Sequence, residues 1–301
     1  MERALRNRLI FGTVMLTALA GVLWLDWAFE SWTRDWMNRR YGVSHGVGGL
    51  GLAIMLALIT PLAIRELAQI FASERVRPYP FIAGVGSASL LFHAFLTQFP
   101  PFKPVAASTL AFVIVFVMLL AALRRAWERA TQEAILAMAG TVLATLYLGG
   151  LGWFLMALRV KQGVISGFEG STSKIVMILL AVKFTDIGAY FGGRSFGRTK
   201  LIAWLSPGKT WEGLVCGLLT AGIVGMVCAT QIEKLAWWKG LVFGIIIGGV
   251  GQLGDLLESL MKRDAEIKDS GSSIPGFGGV LDVIDSPLLA APFAYLLFSL
   301  F

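Results

Sequence analysis

Gly254 to Ser286 reads GDLLESLMKRDAEIKDSGSSIPGFGGVLDVIDS, a polar loop whose two flanks are apolar enough to lie in a bilayer. Carboxylates at that depth are costly and mark a site by default. Asp255 and Glu258 stand at i and i+3 on the flank that enters the loop, and Asp282 and Asp285 repeat the spacing on the flank that leaves it, so each pair shares one helix face. Four acidic groups facing one another across a short loop repel unless a cation or proton lies between them. A loop rich in Lys, Ser and Gly suits anions bound over such a cation. The stretch predicts a metal-assisted phosphate site at a membrane surface.

Composition outside the loop agrees. The chain is 56% hydrophobic and 15% charged, with a mean hydropathy of +0.72, against roughly 25% charged residues in soluble domains. Apolar runs long enough to cross the hydrocarbon core fall at 9–25, 47–64, 80–97, 105–123, 134–158, 173–191, 211–229, 240–258 and 279–301. The expected fold is therefore all-α, a polytopic helical integral membrane protein with about nine transmembrane helices. It forms a single membrane domain over 1–301, in which 1–170 is the less specific helical part and 171–301 carries both polar loops.

The net charge of +7 is spread over short loops, where it reports topology and not a nucleic-acid partner. With the first run leaving the cytosol, about sixteen cations, Arg65, Arg124, Arg194, Lys209 and Lys262 among them, fall on the N-terminal side. About nine, including Arg159 and Lys174, fall on the other. This bias places the N-terminus in the cytosol and the C-terminus outside, in the cell's inner (cytoplasmic) membrane. The basic start followed by an apolar run is expected to stay as a retained first helix. Cys216 and Cys228 suit neither a disulfide nor a zinc site and read as packing residues.

His45 and His93 are the only histidines and neither is near the acidic loop. Both read as interfacial or satisfied imidazoles, which argues against histidine-dependent acyl transfer and a His-rich zinc site. Phosphate chemistry needs no imidazole base, because a phosphomonoester is already a nucleophilic anion at neutral pH. The glycine run at Gly46–Gly51 opens a span and follows no strand, so it is no dinucleotide loop. Gly213/Gly217 and Gly244/Gly248 are small-xxx-small pairs suited to close helix packing.

A second charged stretch, KFTDIGAYFGGRSFGRTKLIAWLSPGKTWEG over Lys183–Gly213, falls on the same inferred side. Asp186 sits near a helix end with Lys183 one turn away, as part of a site or as a structural ion pair. Arg194, Arg198, Lys200 and Lys209 supply cations, while Ser206, Thr210 and a helix start add hydroxyl and backbone donors for an anion.

These residues resemble the phosphatidate cytidylyltransferases (CDP-diacylglycerol synthases), marked by Ser-x-x-Lys-Arg, Lys-Asp, Pro-Gly-His-Gly-Gly and Asp-Arg-x-Asp. The matching residues are Ser259 with Lys262-Arg263, Lys268-Asp269, Pro275-Gly276-Phe277-Gly278-Gly279 and Asp282-Val283-Ile284-Asp285. Asp186–Tyr190 and Ser206–Gly213 look like further family elements. Phe277 replaces the usual His, Val283 the Arg, and Gly208 a Lys found in many members.

The resemblance implies transfer of CMP from CTP to phosphatidate, giving CDP-diacylglycerol and pyrophosphate in phospholipid biosynthesis. It implies Mg2+, with a second cation as an option, on Asp255, Asp282 and Asp285, with Lys262 as a further catalytic residue. Lys209, Arg263 and Lys268 would hold phosphates, supported by Ser206, Thr210, Glu212, Ser259, Asp269 and Asp186. The partners implied are CTP, phosphatidate or a similar lipid phosphate, and membrane lipids, with a homodimer compatible and no nucleic acid. The alternatives are a CTP-dependent transferase or kinase acting on another lipid, and an ion-coupled transporter.

Overall fold

The structure, a computed structural model, describes residues 2–73, 76–129, 131–160, 171–267, 270–271, 273–276 and 278–301, side chains of 2–9 excepted. Lys268, Asp269 and Phe277 therefore lie outside the described residues. Every apolar run expected to cross the membrane is helical, as the all-α expectation requires. Among the described residues, eight helices are long and apolar enough to span a bilayer, and Pro80–Leu96 is a shorter apolar helix.

The chain divides into two compact units, one of Met1–Gly170 with Ala265–Val283, the other of Ser171–Asp264 with Ile284–Phe301. The first holds α1 (Glu2–Tyr41), α2 (Leu50–Ser73), α3 (Pro80–Leu96), α4 (Ala106–Trp127), α5 (Ala134–Thr145) and α6 (Leu151–Arg159). The helix α1 runs far past the expected 9–25, because it contains no proline and its inner glycines, Gly12 and Gly21, keep helical backbone, so that it ends only at Gly42. That glycine takes a left-handed φ of +68° and donates its N–H to Asn38 O at 2.8 Å, closing the helix. Two of the charges this extension brings in are paired. Asp26 and Glu30 on α1 pair with Arg159 at the end of α6, Glu30 at 3.0 Å, and Arg159 is fully buried. Asp26 also accepts from Gly51 N at 3.0 Å, capping the start of α2.

His93 is satisfied at both ring nitrogens, whereas His45 Nε2 is buried with no hydrogen-bond partner among the described residues. His93 Nε2 donates to Ala106 O at 2.8 Å and its Nδ1 accepts from Trp153 Nε1 at 2.9 Å, while His45 Nδ1 lies 3.0 Å from Gly46 O. The glycine run after it is buried, and Gln98 answers both backbone groups of Gly48.

In the second unit α7 (Thr172–Phe196), α8 (Trp211–Cys228) and α9 (Trp237–Asp264) pack together. Without a hydrophobic force between lipid-exposed helices, close approach through small residues does the packing. A Cβ at Gly213 would stand 2.8 Å from Ala189 O and one at Gly217 2.7 Å from Thr185 O on α7; one at Gly244 would stand 2.9 Å from Gly222 Cα on α8. Both cysteines are free. Ser171 and Thr210 cap α7 and α8 by accepting from Lys174 N and Gly213 N.

The segment between α7 and α8, expected as a plain loop, forms an antiparallel hairpin of β1 (Lys200–Ile202) and β2 (Ser206–Thr210), with Lys200 opposite Thr210 and Ile202 opposite Ser206. Its strands are too short to give a period-two signal in the sequence. The last helix, α10 (Leu281–Leu300), starts in the first unit and continues into the second.

Candidate active site

In the second unit α9 carries Gln252, Asp255, Glu258 and Lys262 at helical spacing, and the close approach of α10 sets Asp285 beside them. A Cβ at Gly254 would stand 3.0 Å from Ser286 Cα and 3.3 Å from Asp285 O, so a side chain here would press the two backbones apart. The outcome is a cluster of Asp255, Glu258 and Asp285 whose ligand oxygens lie within 4.8 Å of one another. Glu258 and Asp285 are buried, at 1% and 3% exposure.

Two ammonium groups answer these charges. Lys262 Nζ lies 3.2 Å from Glu258 Oε2, one turn along α9. Lys209, at the end of β2, reaches the carboxylate of Asp255. Asp285 Oδ2 is buried with no hydrogen-bond partner among the described residues. A buried unpaired carboxylate oxygen beside two other carboxylates is costly, and oxygen donors of this kind suit a hard divalent cation. The residues present fit Mg2+.

Next to the cluster, Asp186 on α7 accepts from Gln252 Nε2 at 2.8 Å, and Lys183 Nζ lies 3.9 Å from its other oxygen. Asp186, Tyr190, Lys209, Thr210, Gln252 and Asp255 line a cavity of about 220 Å³. Among the residues expected from the sequence, Asp186, Lys209, Thr210 and Asp255 are thus brought to one cavity. Glu212 is turned elsewhere. Its carboxylate accepts from Arg198 N and Thr199 N at 3.1 Å, tying the entry of the hairpin to the first turn of α8. Ser206 pairs within the hairpin, Ser259 is half-buried on α9, and Arg263 is exposed at the end of that helix.

Asp282 is placed differently from Asp285. Its Oδ2 accepts from Gly279 N at 2.6 Å, Ser270 Oγ at 2.9 Å and Ser270 N at 3.2 Å. It folds the motif loop back on the start of α10, and the cluster of ligand oxygens contains Glu258 instead. Sequence reasoning placed Glu258 among the four carboxylates but left it out of the metal set, and it missed Gln252. An amide inside a glycine-rich apolar run was the available signal, since polar groups in spanning helices seek partners on neighbouring helices.

The chain is similar to known proteins over most of its length. A phosphatidate cytidylyltransferase of Synechocystis sp. is 32% identical, over 83% of this chain and 88% of its own length. A chloroplastic phosphatidate cytidylyltransferase of Arabidopsis thaliana is 31% identical, over 84% and 69%, and that of Haemophilus influenzae is 42% identical over a shorter region, 40% of this chain and 43% of its own. Residues 42–301 match the cytidylyltransferase family, which takes in the whole second unit, the first unit from residue 42 onward, and every residue of the acidic cluster. The chain belongs to the cytidylyltransferase family.

Proposed function

We propose that this protein transfers the cytidylyl group of CTP to phosphatidate, releasing pyrophosphate and leaving CDP-diacylglycerol in the membrane. The observation that carries this is the convergence of Asp255, Glu258, Asp285 and Lys262 on spanning helices with Lys209 on the hairpin, in a chain of this family. The acceptor phosphate is itself the nucleophile, so no imidazole is required.

Asp255, Glu258 and Asp285 would hold Mg2+. When bound, the ion supplies charge neutralisation on the nucleotide phosphates and on the departing pyrophosphate. Lys209 sits on a hairpin at the cavity and can turn its ammonium from Asp255 to a nucleotide phosphate. Lys262 keeps Glu258 oriented through their ion pair and adds positive charge beside the reacting phosphates. Asp186 and Gln252 hold each other across α7 and α9 and shape the cavity wall. Thr210 and Glu212 fix the hairpin against α8, so that Lys209 is presented from a rigid base. Asp282 shapes the motif loop through its hydrogen bonds to Gly279 and Ser270. Arg263 and Ser259 are at the end of α9, where phosphate groups of lipid or nucleotide can be met.

The membrane is read as the cytoplasmic membrane with the N-terminus in the cytosol, so that CTP reaches the site from water while the lipid phosphate lies at the interface. Purified protein given labelled CTP, Mg2+ and a panel of lipid phosphates should transfer label to phosphatidate in preference to the others. Preferential transfer to another lipid phosphate would move the acceptor assignment. Absence of transfer to every acceptor would overturn the proposal.

A further inference from the structure

The first unit holds a buried carboxylate that the chemistry above does not use. Glu66, on α2 and 4% exposed, is met by the motif loop that returns from the far end of the sequence. Ser273 Oγ donates to its Oε1 at 2.6 Å and Val280 N at 3.0 Å, while Leu281 N donates to its Oε2 at 3.0 Å. Ser270 Oγ is 3.4 Å from the same oxygen and, having one proton, bonds chiefly to Asp282 at 2.9 Å. Three firm donors and a fourth neighbour occupy the roughly four lone-pair directions of a carboxylate. Glu66 is thus an anchor for donors, not a cation ligand.

The motif's glycines are shaped to this anchor. A Cβ at Gly279 would stand 2.6 Å from Glu66 Oε2, and one at Gly271 2.8 Å from Glu66 Oε1. Between them, Pro275 leads into Gly276 at φ +88° and Gly278 at φ +104°, with Ile274 and Gly278 exchanging both backbone hydrogen bonds at 2.8 and 3.1 Å. The proline and glycines close the turn, and Glu66 holds its two ends. Leu281 opens α10 and Val280 stands just before it, where the first N–H groups have no partner within the helix. The Glu66 side chain caps that helix from outside.

We infer that Glu66 is the positioning residue of the motif loop: the carboxylate on α2 sets the conformation of residues 270–271, 273–276 and 278–282 and the starting register of α10, and through them the rate of the cytidylyl transfer proposed above. The activity arm of the test rests on that proposal, whereas the exchange arm does not. In the full-length purified protein, Glu66→Gln keeps the volume but turns an NH2 group toward donors. Peptides containing Val280 and Leu281 should then exchange their amide hydrogens faster. The rate constant kcat should fall about 100-fold, the size of a displacement of the reacting groups by about 1 Å. The affinity for Mn2+, read directly by its spin resonance, should stay within about twofold, since an anchor is not a ligand.

Ser273→Ala removes one donor at an exposed position and serves where the Glu66 variant does not fold. It should lower kcat with no loss of melting temperature, and added to Glu66→Gln it should cost nothing more, because both act through one contact. Unchanged exchange with kcat within about twofold of native in both variants would overturn the inference. So would loss of Mn2+ binding in Glu66→Gln, or a fall in melting temperature alone. If the native protein transfers no cytidylyl group, the function proposed above fails, while the exchange measurement still decides whether Glu66 orders the loop.

Discussion

Replacing Asp285 with asparagine changes almost nothing in volume but takes one charge from three carboxylates held within 4.8 Å. Because its Oδ2 is buried without a hydrogen-bond partner among the described residues, Asp285→Asn should relieve repulsion and fold at least as well as the native chain. It should also lose turnover by more than about 100-fold, beyond what changes to outer partners of metal ligands cost. Labelled-CTP transfer and a melting curve on the same preparation check both halves. Lys209 separates a second pair of effects. Its ammonium competes with any cation for Asp255, so Lys209→Ala should bind Mn2+ as tightly as native or more so. It should also raise the KM for CTP by about 10- to 100-fold, the worth of one hydrogen bond to a charged group. Weakened Mn2+ binding would show that the lysine supports the cluster instead of competing with it.

At this scale the sequence was legible where charge stood out against apolar surroundings. Asp255, Glu258 and Asp285 could be picked out because carboxylates in a spanning helix are rare. Glu66 could not. It follows Arg65 just past an apolar run taken to end at 64, and so looked like an ordinary loop charge. Its partners lie 204 to 215 residues away, a separation no local pattern encodes. Arg159 and Lys174 misled in the opposite direction. Counted as loop cations, they are in fact buried and paired, Lys174 with Glu233 at 3.1 Å, and report packing more than sidedness.

Among the elements, α7, α8 and the hairpin act as one frame. The glycine pairs that pattern reading assigned to helix packing do that work, since the carbonyls of Thr185 and Ala189 occupy the space a side chain would need. Gly217→Leu should therefore force the helices apart and cost roughly 1–3 kcal/mol, the usual range for overpacking, read as a lower melting temperature in detergent. An unchanged melting temperature would mean that α8 can shift without resistance. The hairpin was not legible because strands of three and five residues are shorter than the window in which alternation can be counted. Its fastening was still latent in Glu212, which opens α8 and reaches back to two backbone N–H groups.

For the whole molecule, connectivity makes a claim that side chains do not. The proposed topology, with the N-terminus in the cytosol and Pro80–Leu96 counted as a ninth crossing, predicts that the hairpin and the motif loop open to the cytosol and that the C-terminus lies outside. Single cysteines in a background lacking Cys216 and Cys228 provide the check. At Gly208 or Ser273 they should react with an impermeant maleimide only after the cells are permeabilised, and at Phe301 they should react in intact cells. Labelling of Gly208 from outside would overturn the topology.

The pairing of Arg159 with Asp26 and Glu30 bears on how the chain is made. The family match begins at residue 42, so α1 lies outside it, yet α1 supplies both carboxylates to a guanidinium that is fully buried. During synthesis α6 leaves the ribosome more than a hundred residues after α1. Its arginine can settle into the lipid at low cost only where the first helix is already waiting. Removing one partner of a buried ion pair costs about 3–5 kcal/mol, and a chain started at residue 42 would leave the charge with neither. Such a chain should insert poorly and be degraded, although every residue of the catalytic cluster is present. The helix with no part in the chemistry would then act as an intramolecular chaperone for biogenesis.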